Sequence, residues 1–240
     1  MKKRILSILL LCCMVLTMLP TTVLAADGPM DTIPKYDVSI DVYNRTSDIS
    51  IKDSRSYYIY SSVPDKLRDT WAWDKKIFIK GDKAAPHVFI DGVNIEMSPS
   101  SKGPAIELNK KASAYIYFIG KNSSLQGADG RAAIQKNRSE GQLYVLARTG
   151  TTVTCKGGHR AAGIGGSWAI RNIGDPMFNM DMYGHGVNMH FGSQSNPDYW
   201  GGTINATGGE YGAGIGAGSW GHSGYSGNTI HGGAGERLYF

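Results

Sequence analysis

The sequence predicts an all-β fold, a right-handed parallel β-helix with an N-terminal cap, on three observations. No stretch beyond residue 25 sustains a 3.6-residue apolar period. Short runs of β-branched and aromatic residues recur instead between turn residues, as in Ile77-Phe78-Ile79, Val88-Phe89-Ile90, residues 115–119 and Leu143-Tyr144-Val145-Leu146. Glycine is unevenly spread, with 23 of the 32 glycines lying from Gly157 onward, and related segments return at nearly constant spacing, the mark of a solenoid.

The repeats set the coil length. Ala105-Ile106-Glu107-Leu108, Ala132-Ala133-Ile134-Gln135 and Ala161-Ala162-Gly163-Ile164 begin 27 and 29 residues apart, each after a polar, glycine-containing turn, and Phe89-Ile90 precedes Phe118-Ile119 by 29. A stricter repeat follows at a step of 51. Thr152-Val153-Thr154-Cys155-Lys156-Gly157-Gly158 with Ala162-Gly163-Ile164-Gly165 matches Thr203-Ile204-Asn205-Ala206-Thr207-Gly208-Gly209 with Ala213-Gly214-Ile215-Gly216. The longer step equals one coil plus an insertion, residues 167–186. In a parallel β-helix, strands of successive coils stack about 4.8 Å apart. Inward side chains then form ladders of like residues, and glycine supplies positive φ at corners. An antiparallel sandwich also uses strands every 8–12 residues, but the register of the repeat favours the solenoid.

The ends are read separately. Met1-Lys2-Lys3-Arg4 is a basic n-region before an apolar run from Ile5 to Leu19, and Val23-Leu24-Ala25 offers small residues for cleavage between Ala25 and Ala26. Residues 1–25 are therefore expected to be a signal peptide, residues 26–76 the cap, and residues 77–240 the coils, incomplete at the C-terminus. The apolar run is shorter than the roughly 20 residues a membrane span needs, so no membrane attachment is expected after cleavage. Without residues 1–25, 22 Lys plus Arg face 20 Asp plus Glu, and that near-neutrality argues against a nucleic-acid partner. Cys155 is the one cysteine beyond the signal, so no intramolecular disulfide is available.

The segments 157–166 and 208–217 resemble the Gly-Gly-x-x-Ala-Gly-Ile-Gly-Gly repeats of large secreted β-helix proteins from Gram-positive bacteria, proteins described as surface or adhesin-like. The resemblance extends over residues 77–233. It implies a solenoid of the pectin-lyase type, secreted or held at the cell surface, with adhesion or glycan contact as its role. A stalk segment of a larger surface protein is a second reading, and a lyase or hydrolase acting on acidic polysaccharide a third.

Chemical motifs are sparse. Gly216-Ala217-Gly218-Ser219-Trp220-Gly221 spells a dinucleotide fingerprint, but no helical pattern follows to hold a pyrophosphate. Gly184-His185-Gly186 lacks the adjacent carboxylates that glycoside hydrolysis needs, and Asp91, Asp129 and Arg131, the nearest lyase candidates, lie in turn sequences. No catalytic residue is assigned. The six histidines have no ligand spacing, so no metal or cofactor is expected, calcium being unsupported. Cys155 aligns with Ala206 and reads as a small packed residue. Trp168, Trp200 and Trp220 are the glycan-binding candidates, since a flat ring offers a sugar an apolar face beside a polar edge. The alternative for these rings is closure of coil corners. The expected partner is a polysaccharide, a host or cell-wall glycan.

Overall fold

The computed structural model describes residues 34–98, 101, 103–109, 111–136, 140–171, 184–192, 199–222, 230–232 and 235–240. These form a parallel β-helix with no α-helix among them. Sheet A stacks seven strands: β1 (Val38–Asp41), β3 (Ser56–Tyr60), β5 (His87–Asp91), β8 (Ala114–Phe118), β11 (Leu143–Ala147), β15 (Gly186–Phe191) and β20 (Gly235–Tyr239). Sheet B stacks six: β2 (Ile49–Ile51), β4 (Ile77–Ile79), β7 (Ile106–Leu108), β10 (Ile134–Gln135), β13 (Ile164–Gly165) and β17 (Ile215–Gly216). Sheet C holds β6 (Asn94–Glu96), β9 (Ser123–Gln126), β12 (Thr152–Lys156) and β16 (Thr203–Thr207), and Trp73 bridges to Ile95 at its first edge. Every pairing in sheets A, B and C is parallel, and the chain visits A, then C, then B in each full coil. The small sheet D joins β14 (Ala169–Arg171) to β18 (Ser219–His222), with β19 (Ile230–Gly232) antiparallel to it. Lys35–Phe240 form one unit.

The reason these short segments become strands is the column they build. Ile49, Ile77, Ile106, Ile134, Ile164 and Ile215 face one another through all six strands of sheet B, and the first five are buried to 2 % exposure or less. Val88, Ile116 and Val145 do the same in sheet A, and Ile95, Leu125, Cys155 and Ala206 in sheet C. Each aliphatic side chain removed from water contributes about 1.5–3 kcal/mol, enough over this many rungs to order strands of two to six residues that are individually unstable.

The segment expected as a cap carries strands of the same sheets. β1 and β2 are the first strands of A and B, and that first coil has no strand in sheet C. Among the described residues the stack runs from Val38, with a shortened coil covering the next. The strict 51-residue repeat holds pair by pair, Thr152 with Thr203 through Lys156 with Thr207, and Ile164 with Ile215. The looser repeats are one residue out: Ile90 pairs with Phe118, and Ile106 with Ile134.

Close backbone approach, more than turn conformation, explains the Gly-Gly pairs. A Cβ on Gly158 would lie 1.9 Å from the Ala128 carbonyl oxygen, and one on Gly209 would lie 2.1 Å from that of Gly158. The left-handed position of this corner falls two residues later, at Gly130 (φ 71°), Arg160 (64°) and Tyr211 (65°).

Candidate functional site

Two outer faces concentrate aromatic or polar side chains. The first is sheet A. Because its strands are parallel and in register, outward residues of successive coils fall above one another, and here they are aromatic. His87, Tyr115, Tyr144 and His190 stack with ring centroids 4.6, 4.5 and 4.3 Å apart and planes within 14° of parallel. A second row sets Phe89 4.9 Å from Tyr117, and Trp200 tilts over Tyr117 at 5.1 Å. Tyr58 stacks between Tyr36 and Tyr60 and donates its hydroxyl to Asp91 at 2.8 Å. Burial raises the Tyr117 phenol to about 12 and lowers both His87 and His190 from the ordinary imidazole value. Each such ring pair adds about 0.5–1.5 kcal/mol beyond area burial. The same stacking closes the face to ligands, since a ring covered on both sides by neighbours presents only its edge.

The second face is sheet C, and it is open. Its outward residues are Asn94 and Glu96 on β6, Ser124 and Gln126 on β9, Thr152, Thr154 and Lys156 on β12, and Thr203, Asn205 and Thr207 on β16. Above its first edge stands a wall, residues 65–74, begun by the one-turn 3₁₀ helix η1 (Asp65–Leu67) after Pro64. Arg68 Nη1 donates to the Gly92 carbonyl at 3.0 Å, Asn94 Nδ2 donates to the Arg68 carbonyl at 2.9 Å, and Lys121 Nζ pairs with Asp65 at 2.8 Å. The buried Trp73 fastens the wall's end, its indole N–H donating to the Arg45 carbonyl at 2.7 Å.

Between wall and sheet run three adjoining hollows of about 610, 140 and 620 Å³, sharing Asp69, Thr70, Ala72, Asn94, Glu96, Ser124 and Gln126 as common walls. They make one groove along the strand direction, from Lys121 to Asp129, at most roughly 26 Å at the rise of an extended chain. The half-buried Trp71 lines its middle, edge-on to Tyr43 at 5.5 Å. The asparagines of the floor are occupied: Asn94 Oδ1 accepts the Ser124 N–H and Asn122 Oδ1 the Thr152 N–H. The side chains of Ser124, Gln126, Thr152 and Thr154 make no hydrogen bond to other described residues, so their hydroxyl and amide groups face the groove with donors and acceptors unspent.

The three tryptophans chosen from the sequence are not brought together. Trp200 belongs to the aromatic face of sheet A. Trp168 is half-buried at a coil corner, under the Arg160 guanidinium at 5.3 Å and against Gly130. Trp220 lies in β18 opposite Ala169, so the two Ser-Trp pairs are out of register by one residue; the Trp220 side chain falls outside the described part. Asp91 and Asp129 sit at opposite corners of the sheet C coils, Asp129 with His159 at 3.7 Å, and Glu210 lies 3.3 Å from the same imidazole. The fingerprint glycines of residues 216–221 lie in β17 and β18. Cys155 is fully buried in the core, its thiol pushed up to about 12 by desolvation. Residues 1–33, with the expected cleavage site Ala25–Ala26 among them, lie outside the described residues, as does most of the segment 167–186. Among the described residues no group of three His, Cys, Asp or Glu side chains converges as metal ligands.

The groove was missed because its wall and floor are separated in sequence by a coil or more. The signals that could have found it were Trp71 and Trp73 in a polar segment, and the alternating Thr-x-Thr and Ser-x-Gln of successive sheet C strands. No protein-family model, curated protein or solved structure matches the chain.

Proposed function

We propose that the protein is a non-catalytic β-helix, exported to the cell surface or its surroundings, that makes contact with a glycan along the sheet C groove. The observation that carries this reading is the row of unspent hydroxyl and amide groups on Ser124, Gln126, Thr152 and Thr154 beneath a wall bearing Trp71. Sugar hydroxyls are both donors and acceptors, and a floor of small groups of the same kind satisfies them without a buried charge. An aromatic edge among a few placed polar groups is a common composition for a small-molecule site. The resemblance of residues 157–166 and 208–217 to surface repeat proteins, and the signal-peptide layout of residues 1–25, support the location outside the cytoplasm.

Catalysis is not part of the proposal. A glycosidase needs one carboxyl held protonated near neutrality, and among the described residues the carboxyls displaced from their ordinary value are displaced downward. Asp65 is lowered first by the hydrogen bond from Lys121 and Asp53 by the Arg55 backbone N–H.

Binding of the purified protein to a glycan array tests the reading, beside a variant carrying Gln126→Ala and Thr154→Ala. Each net hydrogen bond contributes about 0.5–1.5 kcal/mol, so selective binding weakened about tenfold in the folded variant is expected. A folded wild-type protein that binds no glycan would leave the stalk reading, which the uninterrupted ladders of sheets A and B favour, in its place.

A further inference from the structure

The groove carries charge as well as hydroxyls, and the charge is one-sided. Five carboxylates line it, those of Asp65, Asp69, Asp74, Glu96 and Asp129, against two fixed cations, Arg68 and Lys121. Both cations are already committed to one acid: Lys121 lies 2.8 Å and Arg68 3.4 Å from Asp65 Oδ1. No described cation forms an ion pair with Asp69, Asp74 or Glu96, and Asp129 has only the His159 imidazole, at 3.7 Å. Lys156 continues the Glu96–Gln126 row but stands beyond the lining. Asp69 lines the other two hollows, and the remaining three acids, Asp74, Glu96 and Asp129, gather at the end where the sheet C strands finish, in the 620 Å³ hollow. Near-neutrality of the chain beyond residue 25 makes this a local feature and not a reflection of overall charge.

We infer that the groove selects a glycan bearing protonated amino groups and turns away one bearing carboxylates. The inference rests on the glycan reading above and adds the substrate class. The hydroxyl and amide floor takes the sugar units, whatever their charge. The carboxylates then rank them, because exposed charges within the screening length of about 10 Å at moderate salt act together on a ligand laid across them. An amine seated near Glu96 or Asp129 gains several weak attractions, and a uronate at the same place meets several repulsions. This excludes the acidic polysaccharides expected of the enzymatic alternative.

The test is calorimetric titration of the full chain with three hexamers of matched length: β-1,4-linked glucosamine, its N-acetylated counterpart, and a galacturonate. It is run at a pH below the amine pKa and repeated in high salt. Glucosamine is expected to bind about tenfold tighter than the N-acetylated chain at low ionic strength, the uronate weakest, with the preference shrinking as salt rises. A variant carrying Asp74→Asn, Glu96→Gln and Asp129→Asn, checked for folding by circular dichroism, is expected to bind the first two within about twofold of each other. Equal or tighter binding of the galacturonate by the wild-type protein would overturn the inference while leaving glycan contact standing. Binding of none of the three, and of no glycan on an array, would overturn both.

Discussion

Gly158 shows how a single missing side chain sets the coil. Its Cα faces the Ala128 carbonyl so closely that a methyl carbon would lie 1.9 Å from the oxygen, far inside van der Waals contact, and Gly209 repeats the contact one coil on. Gly158→Ala must therefore push whole coils apart, against the ladders that hold them together. A loss of about 2–3 kcal/mol is expected, at the upper end of overpacking costs, read as a lowered urea midpoint; an unchanged midpoint would mean that the corner yields freely. Arg160 and Tyr211 illustrate the opposite case. They occupy the left-handed position that Gly130 fills without penalty, and Arg160 holds it while covering Trp168. The sequence marked these corners as glycine-bearing, yet the doublet serves close approach, and the strained conformation passes to the residues after it. Composition does not distinguish the two uses of glycine. Only the neighbouring coil does.

At the scale of elements, the ladders decide. The aromatic rows of sheet A bury His87 against Tyr115 and Tyr117, and His190 against Tyr144. Desolvation lowers both imidazoles below 6.5, so the folded protein binds their protons less readily than the unfolded chain. Their contribution is complete above about pH 6.5 and is lost as pH falls below it. Stability measured by urea unfolding is expected to decline from pH 6.5 to 5, less steeply in His87→Phe, before the carboxylates held low, Asp53 and Asp65, begin to titrate. Stability that rises over this interval would contradict the assignment. Strand existence and the 51-residue repeat were legible in the sequence because the leading threonine (Thr152, Thr203), Gly-Gly and Ala-Gly-Ile-Gly fix the register at three points. Phe89-Ile90 and Phe118-Ile119 fix it at only one, and similar aromatic pairs let the alignment slip by a residue. In a strand, that slip exchanges the inner and outer faces. This is why Ile90 and Phe118 form the inward rung while Phe89 and Tyr117 join the outer row.

For the whole molecule, the division of labour lies between faces. Sheet B carries the isoleucine column and sheet A zips its outer surface with stacked rings, while sheet C keeps short polar side chains beneath the wall of residues 65–74. The tryptophans drew attention in the sequence as sugar platforms, yet Trp168 and Trp200 spend their faces on Arg160 and Tyr117. The groove could not be read from any one segment, because it exists only when the first full coil leans over the next three. Comparing glycan binding by the wild-type protein, Ser124→Phe and the double variant Trp168→Ala, Trp200→Ala tests this division most directly. Ser124 is exposed on the groove floor, so the phenyl group fills the groove without entering the core. The account predicts that Ser124→Phe loses binding at least about tenfold, a free-energy change of about 1.4 kcal/mol or more, while the tryptophan variant stays within about twofold of wild type. Binding retained by Ser124→Phe and lost in the tryptophan variant would contradict it.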